Sequence, residues 1–356
     1  MSRTLFPYHC ILIAMLTASC TSSPAQESTR VYHNRLQPLQ NPPPLLNDYP
    51  EFVQPVYDFQ RFSAPILVDE QGADLSVRAW RFSYNARGII EIPNHIRADS
   101  TAVIMVHPWG IDDGQGWKTP EPAGVCDFCT PARNHLAGRH TREVIDPFLK
   151  RMRGDVKLIM YSLIAPPDPI RRRLYRTIDA NPTDQERAAA RQELTARLQS
   201  LPYQGAPLVE KITLSSETPV SDYFRQFPGL SAGDHYNGKG FWDVPVPISS
   251  DVTVHHDDVL IFDQEGYDKL RDFLKQQGIR HVLLTGYATD MCFCKTTAGY
   301  ENLSRDFNVF LVGDATLATF PANSTPRYAT NAHISFASLN QLVTQVSWVS
   351  RLEVEE

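Results

Sequence analysis

Four short apolar runs constrain the fold of this chain more than any other feature of its sequence. They lie at residues 102–106, 156–161, 282–284 and 309–312. Runs of this kind are typical of parallel strands that are buried on both faces. Segments with helical periodicity, at 134–151 and 266–277, lie between them. The alternation predicts an α/β fold, a three-layer α/β/α sandwich on a mainly parallel, doubly wound sheet.

The predicted α/β domain spans residues 101–356, and two other regions are attached to it. Residues 58–100 alternate apolar and polar side chains, with Gly72 and Gly88 as turns, which predicts a small antiparallel β appendage. Residues from about 164 to 251 form an insertion that is rich in proline, glycine and aromatic residues. We expect it to be an irregular cap or an oligomer contact. Beyond these, the sequence predicts a last helix from Phe336 and an edge strand over 343–349.

The N-terminal 20 residues have the character of an export signal. Arg3 precedes a short apolar stretch at 10–18 that is too short to span a bilayer as a mature helix. Two processing routes fit: lipidation of Cys20 after a lipobox-like segment, or ordinary cleavage after Ala25. The first is favoured and predicts a periplasmic or cell-envelope protein that meets the membrane only through a lipid anchor. A proline-rich tether is expected over residues 21–57.

Charge excludes one class of partner. The formal net charge is -6, and the only tight basic cluster is Arg171, Arg172 and Arg173. Proteins that bind nucleic acids concentrate positive charge along a surface, which this sequence does not do. No nucleic-acid partner is therefore expected.

The segment 285–292, with the sequence TGYATDMC, carries the strongest chemical signal. It follows a buried apolar run, and the pattern predicts a helix from Cys292 to about Leu303. A cysteine in the first turn of a helix faces the positive end of the helix dipole and unpaired N–H groups, which favour thiolate over thiol. Cys292 is therefore a candidate nucleophile. The alternative is a small, buried core residue.

The stretch 286–296 resembles the nucleophile signature of the isochorismatase-like and nicotinamidase superfamily of cysteine hydrolases. The resemblance covers about residues 100–163 and 252–350. It implies that Cys292 attacks an amide or a related carbonyl and that the Tyr287–Ala288 peptide is cis. It also implies that the N–H groups of Ala288 and Cys292 form an oxyanion hole.

Two positions that this superfamily uses in catalysis are altered in the chain. His107 stands where the superfamily has an aspartate at the end of the first core strand, and an imidazole can still take a proton from a thiol. Asp112 or Asp113 could substitute if the loop folds back. The segment in which the superfamily has a lysine contains none, so His255 or His256 is the expected source of positive charge.

The other cysteines allow three interpretations. Cys126 and Cys129 follow the first core strand. The preferred interpretation is that they form a disulfide or stay reduced. The second is a redox or resolving pair for Cys292, and the third is a metal site that includes His107. Cys294 lies two residues beyond Cys292, about 200° around a helix, so the two thiols cannot serve one site.

The sequence therefore predicts hydrolysis of a small amide, or of a related carbonyl or enol-ether compound, through the Cys292 thiolate. The nicotinamidase branch carries an Asp-x-His metal motif after its second strand, where this chain has residues 162–164 with the sequence SLI. No metal and no organic cofactor are expected, and the resemblance is compatible with a homo-oligomer. Two rival functions stay open: a non-catalytic small-molecule-binding or interaction protein of the cell envelope, and a thiol-redox protein.

Overall fold

The computed structural model describes most of the chain. The described residues are 29–57, 60–108, 131–164, 166–200, 210–225, 245, 247–289, 292–318 and 345–351. The chain divides into two compact units, Met1–His33 and Asn34–Glu356. Several predicted features lie outside the described residues: the export signal with Cys20, Asp112, Asp113, Cys126, Cys129 and the helix from Phe336. In the described part, no helix has the length and apolar character needed to cross a membrane.

One sheet of eleven strands organises the described part of the second unit. The strands are β1 (Gln37–Pro38), β2 (Arg61–Ser63), β3 (Val68–Asp69), β4 (Leu75–Ser83), β5 (Gly88–Ile96), β6 (Thr101–Val106), β7 (Leu158–Leu163), β8 (Val259–Phe262), β9 (His281–Tyr287), β10 (Asn308–Leu317) and β11 (Gln345–Arg351). Their order in the sheet is β1-β2-β5-β4-β11-β10-β9-β6-β7-β8, and β3 pairs with β5. The six strands from β11 to β8 are mutually parallel.

The predicted apolar runs form the centre of this sheet. Every residue of β6, β8 and β9 is buried. Successive side chains of β6 enter opposite core clusters, with Val103 and Met105 on one face and Ala102, Ile104 and Val106 on the other. Strands covered on both faces need apolar residues at every position, which explains why these runs do not alternate.

Helices cover both faces. They are α1 (Pro131–His140), α2 (Asp146–Met152), α3 (Pro169–Leu174), α4 (Asp184–Ser200), α5 (Pro219–Arg225), α6 (Tyr267–Gln276), α7 (Cys292–Lys295) and α8 (Tyr300–Leu303), and a π-helical turn at Thr141–Ile145 joins α1 to α2. Leu136 and Phe148, from the α1–α2 region, pack in one core cluster, and Leu270 and Leu274, from α6, pack in the other. The predicted three-layer α/β/α architecture is confirmed.

The N-terminal strands differ from the predicted appendage. The hairpin of β4 and β5 is antiparallel, but β11 pairs with β4 on one side and with β10 on the other, so the hairpin continues the core sheet. The strand that was expected at the sheet edge over 343–349 is this internal β11. Local alternation predicts a strand, but the sequence does not say which neighbour it pairs with.

The second half of the predicted tether over 21–57 packs on the core instead of remaining extended. Leu45, Leu46, Phe52 and Val53 are buried in the core cluster that contains α1 and α2. An added Cβ at Gly313 in β10 would lie 2.5 Å from a Leu46 methyl carbon, so the segment packs directly on the sheet. The surrounding prolines give the segment the composition of a linker, although its few large apolar side chains are enough to bury it.

Candidate active site

The carboxyl ends of neighbouring parallel strands bring the polar candidates together. His107 directly follows β6, Asp263 directly follows β8, and Tyr287 ends β9. Parallel strands end at the same edge of a sheet, and ligands of open α/β sheets bind at this edge. Residues that lie 156 positions apart in the chain thereby come into contact.

His107 is the centre of the cluster. Its Nε2 lies 2.8 Å from Oδ2 of Asp263, and its side chain also forms a hydrogen bond with Cys292. The backbone of His107 has a φ of 45°, and its N–H donates to the carbonyl of Ser162 at 2.9 Å. A non-glycine residue in this left-handed region costs of order 1 kcal/mol, so the fold holds the imidazole in place against that cost.

Asp263 is held from three sides. Its Oδ2 contacts His107, its Oδ1 accepts a hydrogen bond from the Ser162 hydroxyl at 3.3 Å, and its carbonyl oxygen accepts one from the Thr297 hydroxyl. The side chain is 19% exposed. A carboxylate fixed in this way orients the imidazole and stabilises its charged form.

The pKa of His107 is raised. Burial alone would lower it, but the hydrogen bonds to Asp263 and Cys292 and the electrostatic attraction of both groups raise the pKa from 6.5 to about 9. The imidazole therefore holds a proton at neutral pH. A cationic imidazole beside a cysteine favours the thiolate form of that cysteine.

Cys292 is a half-buried thiol at the start of α7. The predicted helix to Leu303 is instead two short helices, because residues 296–299 form turns. Two β-branched threonines and Gly299 interrupt the helix there, and Thr297 donates to Asp263 instead of facing solvent. Cys292 thus lies on a single helical turn, with the His107 side chain beside it.

The backbone before Cys292 contains a cis peptide and a glycine with positive φ. The Tyr287–Ala288 peptide is cis, as the resemblance implied, and the Ala288 carbonyl accepts a hydrogen bond from the N–H of Phe293 at 3.2 Å. Gly286 has a φ of 108°, and an added Cβ would lie 2.1 Å from the carbonyl oxygen of Val106. Only glycine allows β9 to approach β6 so closely at this point.

Cys294 lies away from this cluster. It is buried, and its thiol donates to the carbonyl of Thr289 at 3.2 Å. Cys292 is more exposed and contacts His107 instead. The two thiols thus have separate surroundings, as their spacing predicted.

His255 and His256 are not brought to the site. They precede β8, so they lie at the opposite edge of the sheet from Asp263, and they line a separate cavity of about 470 Å³ with residues of α4. The His256 side chain is 73% exposed and pairs with Asp257. The position next to His107 belongs instead to Asp263, which brings a negative charge where a positive one was expected.

Sequence reasoning missed Asp263. The available signal was its position directly after the buried strand 259–262, at the same end as His107. The absence of a lysine in this region favoured instead His255 and His256, which precede that strand.

Ser162, at the start of the segment where the nicotinamidase branch has its motif, donates to Asp263. In the part of the chain that the structure describes, no group of three or more histidine, cysteine or acidic side chains is arranged to hold a metal ion.

Comparison with known proteins identifies one family model. A model of the isochorismatase domain matches residues 241–345. The matched segment contains Asp263, the Tyr287–Ala288 peptide and Cys292, whereas His107 precedes it. A search of curated proteins returned no match.

Solved structures of several hydrolases resemble the chain. A cysteine hydrolase from Pseudomonas syringae pv. phaseolicola 1448A is 17% identical, with 68% of this chain and 86% of that chain covered and a TM-score of 0.32. A nicotinamidase from Bacillus subtilis is 13% identical, with 70% and 100% covered and a TM-score of 0.33. An N-carbamoylsarcosine amidase from Thermoplasma acidophilum is 12% identical, with 61% and 83% covered and a TM-score of 0.27.

Proposed function

We propose that the chain, whose residues 241–345 match a model of the isochorismatase domain, hydrolyses a small amide through the Cys292 thiolate. The observation that carries the proposal is the contact chain from Cys292 through His107 to Asp263. Nucleophile, base and orienting carboxylate in hydrogen-bonded order are the arrangement that activates a cysteine for acyl transfer. The proposed triad differs from the usual aspartate, lysine and cysteine of the superfamily.

In the first step, the Cys292 sulfur attacks the carbonyl carbon of the substrate and forms a C–S bond. The charge that develops on the carbonyl oxygen is stabilised by the N–H groups of Ala288 and Cys292. The protonated imidazole of His107 donates its proton to the leaving nitrogen, the C–N bond breaks, and the amine or ammonia departs. A thioester on Cys292 remains.

In the second step, His107 accepts a proton from a water molecule that attacks the thioester carbonyl. The C–S bond then breaks, which returns Cys292 to the thiolate and releases a carboxylic acid. Asp263 acts through His107: it keeps the imidazole oriented and stabilises the cationic form that both steps need. No cofactor takes part in this sequence of steps.

Two further proposals concern the substrate class of the protein and its location. A small-molecule substrate fits the superfamily, and related carbonyl or enol-ether compounds are the alternative substrate class. We also propose export to the periplasm or cell envelope, with a lipid anchor at Cys20. This rests on the character of the N-terminal 20 residues.

Selective alkylation tests the nucleophile. The full chain is titrated with iodoacetamide across pH, and the labelled cysteine is mapped by mass spectrometry. We expect Cys292 to react selectively, because its half-buried sulfur lies beside the imidazole of His107, whereas Cys294 is buried. Slow labelling with ordinary thiol pH dependence would contradict the proposal and favour a binding protein. Labelling only after reduction would favour a redox protein.

Hydrolysis tests the reaction itself. Release of ammonia or amine is measured for a panel of small primary amides and carbamoyl compounds. Cys292→Ser is expected to lose activity with every substrate that the unaltered chain hydrolyses. Cys294→Ser is the matched control, since it makes the same change two residues away at a buried thiol that donates to the carbonyl of Thr289, and it is expected to retain activity.

A further inference from the structure

We propose that the N-terminal segment 45–56 positions the catalytic loop, residues 286–289, through Phe52, His140 and Tyr287. These three aromatic side chains are buried, with exposed fractions of 0%, 0% and 1%. They form a continuous contact from the N-terminal segment to the residue that precedes Ala288. The inference rests on the proposed function for the role of the loop, and part of its test is independent of hydrolysis.

The Tyr287 phenol anchors one end of the catalytic loop. Its oxygen lies 2.7 Å from Nδ1 of His140, 2.9 Å from the Thr141 hydroxyl and 3.2 Å from the carbonyl oxygen of Ala137. A buried phenol with three polar neighbours has one favoured position, because a shift would leave a polar atom without a partner. The backbone of Tyr287 is fixed with it, and Ala288 follows directly.

His140 is held on its other side by the sheet. Its Nε2 donates to the carbonyl oxygen of Asp314 in β10 at 2.6 Å, and this nitrogen carries a proton because a carbonyl oxygen can only accept. The imidazole thus spans β10 and the end of β9. It lies just before the π-helical turn at Thr141–Ile145, a geometry that is frequent at functional sites.

Phe52 fixes the imidazole from the N-terminal segment. The two rings meet edge to face with centroids 5.3 Å apart, and the Arg139 guanidinium lies 5.1 Å from the Phe52 centroid. The segment itself is closed, because Leu45 and Val56 exchange backbone hydrogen bonds of 3.3 Å and 2.9 Å. Such a closed segment offers a fixed surface for the imidazole, unlike a flexible tether.

None of these three residues is proposed to touch the substrate. Their role is positioning: displacement of a reacting group by about 1 Å can cost about 100-fold in rate. Ordinary core packing is the competing explanation. It predicts that substitutions here lower stability without a specific effect on the catalytic loop.

The test compares Phe52→Leu and Tyr287→Phe with Phe307→Leu in the full chain. Phe307 is a suitable control because it is buried in the core cluster on the opposite face of the sheet. Amide hydrogen exchange over 286–289, kcat, KM and Tm are measured for each variant. We expect faster exchange over 286–289 and a loss of about tenfold or more in kcat, with little change in KM, for the first two variants only.

The proposal is overturned if Phe52→Leu affects exchange over 286–289 and kcat no more than Phe307→Leu does at a similar loss of Tm. If Tyr287→Phe does not fold, Thr141→Val takes its place in the test. This variant removes one hydrogen-bond partner of the Tyr287 phenol with little change in side-chain volume. If the unaltered chain hydrolyses no amide, the proposed function fails, and hydrogen exchange alone still decides whether the N-terminal segment positions the loop.

Discussion

Nε2 of His107 lies 2.8 Å from Oδ2 of Asp263, and this ion pair occupies the end of the sheet where Cys292 begins its helical turn. The pair places a cation between a sulfur and a carboxylate. The pKa of the His107 imidazole therefore depends on both Asp263 and Cys292.

Replacement of Asp263 by asparagine should lower kcat/KM of amide hydrolysis by about 100-fold or more. The substitution keeps the shape of the side chain but removes the charge that orients and stabilises the His107 cation. Steady-state kinetics and the pH dependence of Cys292 alkylation check this. Asp257→Asn, at a side chain that is 72% exposed, is the control and should change neither. Equal activity of the two variants would remove Asp263 from the mechanism.

The raised pKa of His107 predicts how activity depends on pH. In the proposed mechanism His107 donates a proton to the leaving nitrogen, so the rate of amide hydrolysis should be maintained at neutral pH and fall as pH rises through about 9. In Asp263→Asn, the fall should move to lower pH because the carboxylate no longer stabilises the cation. Rate profiles of both proteins over alkaline pH measure the shift, and superimposable profiles would count against it.

The same pKa predicts a pH-dependent contribution to stability. Because the pKa is raised from 6.5 to about 9, proton binding by His107 stabilises the folded chain fully below pH 6.5, and the contribution is lost as pH rises through about 9. The difference in free energy of unfolding between the unaltered chain and His107→Gln should therefore shrink by on the order of 1–3 kcal/mol between neutral and strongly alkaline pH. Denaturant titrations at several pH values measure it; a constant difference would contradict the predicted proton uptake.

Gly286→Ala should damage both folding and activity. The added methyl group would meet the carbonyl oxygen of Val106 at 2.1 Å, and the φ of 108° is unfavourable for alanine. The backbone term alone costs about 1–3 kcal/mol, and the overlap adds to it. Gly72→Ala is the control for the backbone term, since Gly72 has a φ of 73° with no atom within 4 Å of an added Cβ. Thermal unfolding of both variants should show the larger loss for Gly286→Ala.

Leu46→Ala tests whether the residues after Asn34 belong to the folded body. Leu46 is 1% exposed, and truncation of a buried leucine costs about 2–5 kcal/mol in free energy of unfolding. Val31, which is 84% exposed, should tolerate the same truncation within about 0.5 kcal/mol. A similar loss in free energy of unfolding for the two variants would indicate that the segment is a tether.

The sequence was sufficient where the physics is local. Uninterrupted apolar runs predicted the central strands, and the resemblance of residues 286–296 to a known signature implied the cis peptide at the end of β9. Asp263 could not be found in this way, since its contact with His107 follows from the order of the strands, in which only β7 separates β6 from β8. The packing of Leu46 and Phe52 was hidden for a similar reason: a few buried residues within a proline-rich stretch leave no periodic pattern.

The position of β11 has a consequence for how the chain reaches its folded state. β4 and β5 lie near the start of the folded unit and pair with each other. The other edge of β4 pairs with residues 345–351, and the same residues pair with β10. Until those residues are in place, two strands expose unpaired N–H and C=O groups that can pair with other chains. Clipping near the carboxyl terminus should therefore promote self-association before it affects the thiol chemistry.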